Sequence, residues 1–171
     1  MAENMKTERI LVIFHLLSLC TEVSYKEVTA RIPVSKKTVA RDICLLREIG
    51  FQIEFSKELR AFVMSKEKKE PCFPENRTKR KYREKILRLI DLMCEMDGAD
   101  DPSAWYRQRY PNRSVRTMLR DFKILRSIGY RVGYQRGADE WEERQPDKYY
   151  SEWPFGVYDD EVFELFWRKH K

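Results

Sequence analysis

Apolar residues recur at helical spacing in six segments of the chain, and this spacing predicts six helices. They are expected over residues 8–20, 24–31, 35–49, 83–96, 102–109 and 114–128. Alternating apolar and polar residues predict strands over residues 51–56, 60–65, 130–136 and 148–155. A further amphipathic helix is expected over residues 159–169. This content predicts an α+β protein that is mainly helical.

The sequence also contains an internal repeat. When the chain is shifted by 79 residues, residues 35–50 align with residues 114–129, and eight of the sixteen positions are identical. Positions that differ often keep their character, as in the pairing of Val39 with Met118. Two copies of one structural unit explain this most simply.

Residues that favour helix ends stand where the predicted helices begin and stop. Ser24 and Glu27 have the spacing of a capping box. An aspartate precedes Pro102, which suits the first position of a helix. Gly50 and Gly129 follow the third helix of each copy, where a left-handed C-cap is expected. The ends of the helices are therefore predicted from local chemistry as well as from apolar spacing.

Each copy has the same order of elements: three helices and then a β-hairpin. Val39, Ile43 and Leu46 form one stripe of the third helix, which we expect to pack on the first two helices. The opposite face stays exposed. This order is that of a winged helix-turn-helix, whose third helix enters the DNA major groove. We therefore predict two tandem winged helix-turn-helix domains, each a three-helix bundle with a β-hairpin wing.

The outward face of the third helix carries cations in both copies. A rotation of about 100° per residue places Lys37 and Arg41 opposite the apolar stripe, with Lys36 and Thr38 at the exposed N-terminal end. In the second copy the outward residues are Val115, Arg116, Arg120 and Lys123. Cations in the first half of a helix oppose its dipole. A phosphate or a base edge as partner would offset that local cost.

Charge is distributed unevenly along the chain. The 171 residues include 34 Lys and Arg against 28 Asp and Glu, a net charge of +6, which is compatible with a nucleic-acid partner. Residues 102–137 contain one acid and nine basic side chains, which are Arg107, Arg109, Arg113, Arg116, Arg120, Lys123, Arg126, Arg131 and Arg136. Residues 138–171 reverse the sign, with ten acids and five bases. The positive field is therefore centred on the second copy.

Several other classes of protein are not indicated. The four cysteines lie far apart and the two histidines have no ligand spacing, so no metal and no cofactor is expected. The cysteines are expected to be mostly buried, as small apolar residues in a reducing, cytoplasmic environment. No arrangement typical of a catalytic site stands out, and we predict that the protein is not an enzyme. The longest apolar run is too short to cross a membrane.

The string SKKTVARDICLLREIGF resembles the recognition helix of DeoR-type and WYL-type bacterial transcriptional regulators. Their pattern is roughly S-x-x-T-[VI]-x-R-D-[IL]-x-x-L-x-x-x-G. The first copy matches it at Ser35, Thr38, Val39, Arg41, Asp42, Ile43, Leu46 and Gly50. The second copy, SVRTMLRDFKILRSIGY, matches with Met118 and Phe122 as apolar variants. Two consecutive winged helices are also similar in architecture to Mga-like virulence regulators and some plasmid replication initiators.

The resemblance implies roles for these residues. The cap serines would also donate to phosphate, the next residues would face bases or backbone, and Arg41 and Arg120 would reach phosphate. Asp42 and Asp121 would hold a neighbouring helix or a nearby arginine. Polar residues of the wings would touch the minor groove or the backbone. The DNA-contacting set expected from this is Ser35, Lys36, Lys37, Thr38, Arg41, Lys57, Arg60, Arg113, Ser114, Arg116, Thr117, Arg120, Lys123, Arg131 and Arg136.

Four segments are predicted along the chain. They are a winged helix-turn-helix domain over residues 1–65, a charged linker over 66–80, a second domain with a long wing over 81–158, and an amphipathic helix over 159–171. The linker would be a solvated spacer or a strap on the DNA backbone. The last helix would pack within the chain or join two copies as a homodimer.

The predicted function is that of a cytoplasmic, bacterial or phage-encoded transcriptional regulator. Its partner would be double-stranded DNA, with two recognition helices in successive major grooves about 34 Å apart. Two alternatives stay open: an initiator protein that binds a replication or mobile-element origin, and a winged-helix adaptor that contacts only other proteins.

Overall fold

The computed structural model describes residues 2–96, 99, 101–135 and 148–152. The chain is an α+β protein with mainly helical structure, as the sequence predicts. Its elements are α1 (Ala2–Leu19), β1 (Val23–Ser24), α2 (Tyr25–Arg31), α3 (Lys36–Glu48), β2 (Phe51–Ser56), β3 (Ala61–Lys68), α4 (Arg77–Glu95), α5 (Pro102–Arg109), α6 (Val115–Ser127), β4 (Arg131–Gln135) and β5 (Lys148–Glu152). The chain divides into two compact units, Met1–Arg88 and Leu89–Lys171.

Helix α1 supplies much of the core of the first unit. Residues 10–17 form an almost unbroken apolar run, and all of them except His15 are at most 5% exposed. The helix packs against α3 and β3, and the Phe14 ring lies 4.8 Å from the Phe51 ring of β2. A helix that is apolar around its whole circumference is stable only when it is covered on all sides.

The sheet of the first unit has three antiparallel strands in the order β1-β3-β2. Strands β2 and β3 form a hairpin in which Phe55 lies opposite Phe62, with 5.1 Å between their ring centroids. Strand β1 pairs Val23 with Phe62. The sequence did not predict β1, because a strand of two residues leaves no alternating pattern and depends on backbone pairing with β3.

The second unit repeats the helical part of this arrangement. Helix α6 buries Met118, Phe122 and Leu125, the stripe that the repeat predicts. The Tyr106 ring of α5 meets the Phe122 ring edge-on at 5.8 Å. Strands β4 and β5 are antiparallel, with pairs running from Arg131 opposite Glu152 to Gln135 opposite Lys148.

Local signals located four of the six helices to within one residue. The capping box is present: Ser24 Oγ accepts from the Glu27 amide at 3.2 Å, and the Ser24 amide donates to the Glu27 carboxylate at 2.6 Å. This pairing lowers the pKa of Glu27. Asp101 caps α5 by accepting from the amides of Ser103 and Ala104, both at 2.9 Å. These caps confirm predictions made from spacing alone.

Helices α1 and α4 begin six residues earlier than the apolar spacing predicts. At the start of α4, the Asn76 side chain accepts from the Lys79 amide at 3.0 Å, and the Asn76 carbonyl accepts from the Arg80 amide at 2.9 Å. Asparagine is a favoured N-cap. Residues 2–7 and 77–82, which precede the predicted starts, are mostly polar, so a prediction based on apolar periodicity starts too late.

The segment predicted as a linker, residues 66–80, includes the end of β3 and the first turn of α4. Between them, the Lys69 amide donates to the Gly50 carbonyl at 2.8 Å and the Cys72 amide donates to the Glu48 carbonyl at 2.8 Å. A Cβ at Gly50 would lie 2.5 Å from the Lys69 carbonyl oxygen, and Gly50 has a φ of +107°. Residues 69–72 therefore lie against the C-terminal end of α3.

The prediction of mostly buried cysteines is wrong. Cys44, Cys72 and Cys94 are exposed, and Cys20 is half-buried. The predicted wing tip over residues 137–147, the last part of the predicted strand to 155, and the helix over 159–169 lie outside the described residues. Among the residues that are described, no helix has the length and apolar character needed to cross a membrane.

Candidate nucleic-acid interface

The third helix of each unit begins with the same local geometry. Ser35 Oγ accepts from the Thr38 amide at 3.2 Å and lies 3.0 Å from Thr38 Oγ1. Ser114 Oγ accepts from the Thr117 amide at 3.3 Å and lies 3.0 Å from Thr117 Oγ1. Both serines are exposed N-caps, as the repeat predicts. The shared Ser and Thr positions thus set the start of both helices.

A buried aspartate attaches each of these helices to its unit. Asp42 is 1% exposed and accepts from Arg9 Nε at 2.5 Å and Arg9 Nη2 at 3.2 Å. Asp121 is 2% exposed and accepts from the Tyr106 hydroxyl at 2.7 Å. Arg9 lies on α1 and Tyr106 on α5. The prediction that these aspartates hold a neighbouring helix is confirmed.

The outward face of α3 is cationic at its N-terminal half. Lys36, Lys37 and Arg41 are exposed, and none of them has a hydrogen bond or ion pair within the described part of the chain. Thr38 is half-buried and engaged in the cap. The first turn has no acidic residue, so the free amides at the helix start and these cations attract the same anion.

The outward face of α6 is cationic too, but it also carries apolar side chains. Arg116, Arg120 and Lys123 are exposed and, in the described residues, make no hydrogen bond or ion pair. Val115 is 56% exposed and Leu119 is 43% exposed. The sequence analysis expected Val115 to face bases or backbone as an outward residue, and it did not mark Leu119. A comparison of the two copies could have identified this apolar pair, since the equivalent residues of α3 are Lys36 and Ala40.

The hairpin that the sequence predicts as the first wing has basic residues in the turn between β2 and β3. Lys57 and Arg60 are exposed there, and Arg60 has a φ of +51°, which is uncommon for a residue with a side chain. In the second unit, Arg113 is exposed just before the α6 cap, and the backbone of Arg131 lies in β4. Arg136 lies outside the described residues.

A basic cleft in the first unit was missed by the sequence reasoning. It encloses about 900 Å³ and is lined by Lys6, Leu45, Glu48, Thr78, Lys79, Lys81, Tyr82, Arg83 and Lys85. Arg83 donates to the Cys72 carbonyl at 2.6 Å and also binds the Glu48 carboxylate, so it ties α4 to the end of α3. Lys6 Nζ lies 4.9 Å from the centre of the Tyr82 ring. These residues lie near the C-terminal half of α3, whereas the outward cations lie at its N-terminal half.

The described residues contain no group of three or more His, Cys, Asp and Glu side chains that could hold a metal ion. His15 is largely buried in α1, and burial lowers its pKa to about 4. It is therefore a neutral core residue near neutral pH.

No protein-family model, no curated protein and no solved structure matches this chain.

Proposed function

We propose that this chain is a transcriptional regulator that binds double-stranded DNA through two winged helix-turn-helix units. Helices α3 and α6 would be the recognition helices, one in each unit. The observation that carries the proposal is a repeated helix with a buried stripe, a serine cap and exposed cations that lack internal partners. A second function is not needed to account for these features.

Unpartnered cations on a helix start favour a polyanionic partner. A lysine or arginine that only keeps the protein soluble could lie beside an acidic residue as well as beside another basic residue. Here three cations cluster on α3 and three on α6, and the first turns of both helices lack acids. When such cations neutralise phosphates, condensed counterions are released from DNA, and this release drives binding. A duplex therefore offsets the unfavourable charge at each helix start.

The two units are proposed to read different sequences. Their buried stripes and caps match, but the first two outward residues are Lys36 and Lys37 in one and Val115 and Arg116 in the other. Lysine and arginine donate to guanine in the major groove, whereas an apolar side chain makes no such hydrogen bond. If both helices occupy successive major grooves, about 34 Å apart, the site is two unlike half-sites.

The test is a fluorescence-anisotropy titration with random and genomic duplexes over a series of salt concentrations. In the double variant Arg116→Ala/Arg120→Ala, the slope of log affinity against log salt should fall by about two. Binding should weaken by one to two orders of magnitude near about 0.1 M salt, because two fewer counterions are released.

A control is Arg126→Ala, which removes one positive charge, against two in the double variant, from an exposed position in the last turn of the same helix. It should bind almost as the unaltered chain does, and all three proteins should melt at the same temperature. Equal affinity of the double variant and the control would remove α6 from the interface. Absence of any duplex binding at low salt would favour the adaptor instead.

The process that is regulated needs a separate measurement. Genome-wide mapping of bound sites should place them at promoters if the chain regulates transcription. Bound sites confined to a replication origin would instead support the initiator alternative.

A further inference from the structure

Helix α6 exposes two apolar side chains that are not needed to form the capped helix. Val115 and Leu119 are four residues apart, so they lie on one face of the helix, and both are about half exposed. The equivalent positions of α3 hold Lys36 and Ala40. Since α3 forms the same capped helix without them, the apolar pair of α6 is explained by what lies outside the helix.

The surroundings of this pair are cationic. Val115, Leu119 and Lys123 follow one row of the helix surface, and Arg116 and Arg120 follow the neighbouring row. Within the described residues these three cations have no counter-ion. An uncharged apolar partner would leave the cations unpaired, and a purely hydrophilic polyanion would leave Val115 and Leu119 in water. The complementary partner carries phosphates at its edges and apolar groups between them.

The major groove of DNA has this chemistry. Thymine presents a C5-methyl group on the groove floor, and this group is contacted by apolar side chains of recognition helices. Phosphates flank the groove on both sides. We propose that Val115 and Leu119 contact thymine methyl groups, so that the half-site of the second unit is recognised through its methyl groups. This inference rests on the proposed function and specifies its ligand.

The equivalent positions of α3 differ in a way that restricts the expected methyl contacts to α6. At the position of Val115 the first unit has Lys36, which donates hydrogen bonds and suits the O6 and N7 acceptors of guanine. Ala40 is too short to bury a methyl group as Leu119 can. The methyl dependence should therefore belong to the half-site of α6 and be absent from that of α3.

The experiment replaces thymine by uracil, which removes only the methyl group and keeps charge and base pairing. A preferred duplex is first selected from a random library with the full chain. Each thymine of one half-site is then replaced, and affinity is measured by anisotropy. We expect affinity to fall about fourfold for each methyl in contact, the value for burial of one methyl-sized group.

The variant Val115→Ala/Leu119→Ala separates contact from duplex shape. It should bind the thymine duplex as weakly as the unaltered chain binds the uracil duplex, and it should be insensitive to uracil. An effect of uracil on duplex shape alone would persist in the variant, and such persistence would overturn the inference. As a matched control, Leu19→Ala truncates an exposed leucine of α1 and should leave the uracil effect intact.

Three further outcomes are decisive. Tight duplex binding with no uracil effect would overturn the methyl contact and leave the proposed function standing. Self-association in sedimentation that Val115→Ala/Leu119→Ala abolishes would show that the pair is a protein interface. If no duplex is bound at all, the proposed function fails and this inference fails with it.

Discussion

Both units bury an aspartate at the same position of the repeat and hydrogen-bond it to a neighbouring helix. In the first unit Asp42 receives two hydrogen bonds from the Arg9 guanidinium of α1. In the second unit Asp121 receives a hydrogen bond from the Tyr106 hydroxyl of α5. A buried carboxylate must be paired, but several donors can satisfy it. The repeat therefore preserves a buried aspartate that is hydrogen-bonded to a neighbouring helix.

The outward faces of α3 and α6 differ in a similar way. Both are cationic near the N-cap, whereas only α6 adds the exposed pair Val115 and Leu119. Packing keeps the buried face apolar, and a change of size there leaves a cavity or a clash unless neighbouring residues change with it. Exposed positions carry no such constraint and can diverge with the ligand. The matched scaffold with unlike faces is what makes paired experiments on the two units informative.

The largest expected difference between the units concerns their aspartates. Arg9→Met should lower the free energy of unfolding by about 3–5 kcal/mol, because it leaves a buried carboxylate without its charged partner. Tyr106→Phe should cost less, about 1–3 kcal/mol, since it removes one neutral donor. Urea denaturation followed by far-UV circular dichroism measures both values.

Adding Asp42→Asn to Arg9→Met should recover part of the loss, because a neutral amide costs less to bury than a charge. Similar losses for Arg9→Met and Tyr106→Phe would mean that removing the Arg9 guanidinium costs no more than removing one hydroxyl donor.

The next difference concerns acid sensitivity. His15 of α1 is equivalent to Asp91 of α4 when the two helices are aligned at a shift of 76 residues. Burial lowers the pKa of His15 from 6.5 to about 4, whereas the Asp91 carboxylate accepts from the Tyr110 hydroxyl at 3.0 Å. Between pH 6.5 and about pH 4, His15 is protonated in the unfolded chain and neutral in the folded chain. The contribution of neutral His15 to the free energy of unfolding is fully present above pH 6.5 and is lost as the pH falls toward 4, by up to about 3 kcal/mol.

The measurement compares urea denaturation of the unaltered chain and of His15→Gln from neutral pH down to pH 4. The variant lacks the titrating ring, so its stability should fall less over this range. Parallel curves for the two proteins would show that His15 does not contribute to acid sensitivity.

The smallest expected difference concerns the glycines that follow α3 and α6. Gly50 and Gly129 have φ values of +107° and +95°, so alanine at either position is strained by about 1–2 kcal/mol. At Gly50 the new Cβ would also meet the Lys69 carbonyl at 2.5 Å. We expect Gly50→Ala to be the more destabilising variant in thermal unfolding. If Gly129→Ala lowers the melting temperature equally, the close approach of residues 69–72 contributes nothing to the destabilisation caused by alanine at position 50.

Much of the fold could be predicted because it depends on neighbours along the chain. The N-caps Ser35 and Ser114 and the capping box of Ser24 and Glu27 involve residues three apart. The buried stripes follow from helical periodicity. The outward cations of the candidate site follow from the same periodicity. Spacing along the chain is all that these predictions need.

The missed features depend on residues that are far apart in sequence. Arg9 reaches Asp42 across 33 positions, and Arg83 reaches Glu48 across 35. The mostly polar residues 2–7 and 77–82 at the starts of α1 and α4 have no apolar periodicity, and the exposed cysteines have ordinary neighbours in sequence. Exposure and partners of this kind depend on which elements meet in space.

The sequence by itself determined the helices, their caps, the repeat and the faces that turn inward, because backbone hydrogen bonding and apolar periodicity act over a few residues. The tertiary structure decided which donor satisfies each buried aspartate, that residues 69–72 lie against the end of α3, and that Val115 and Leu119 remain exposed beside unpartnered arginines. Those outcomes depend on packing between distant segments, and local rules carry no information about which distant segments meet.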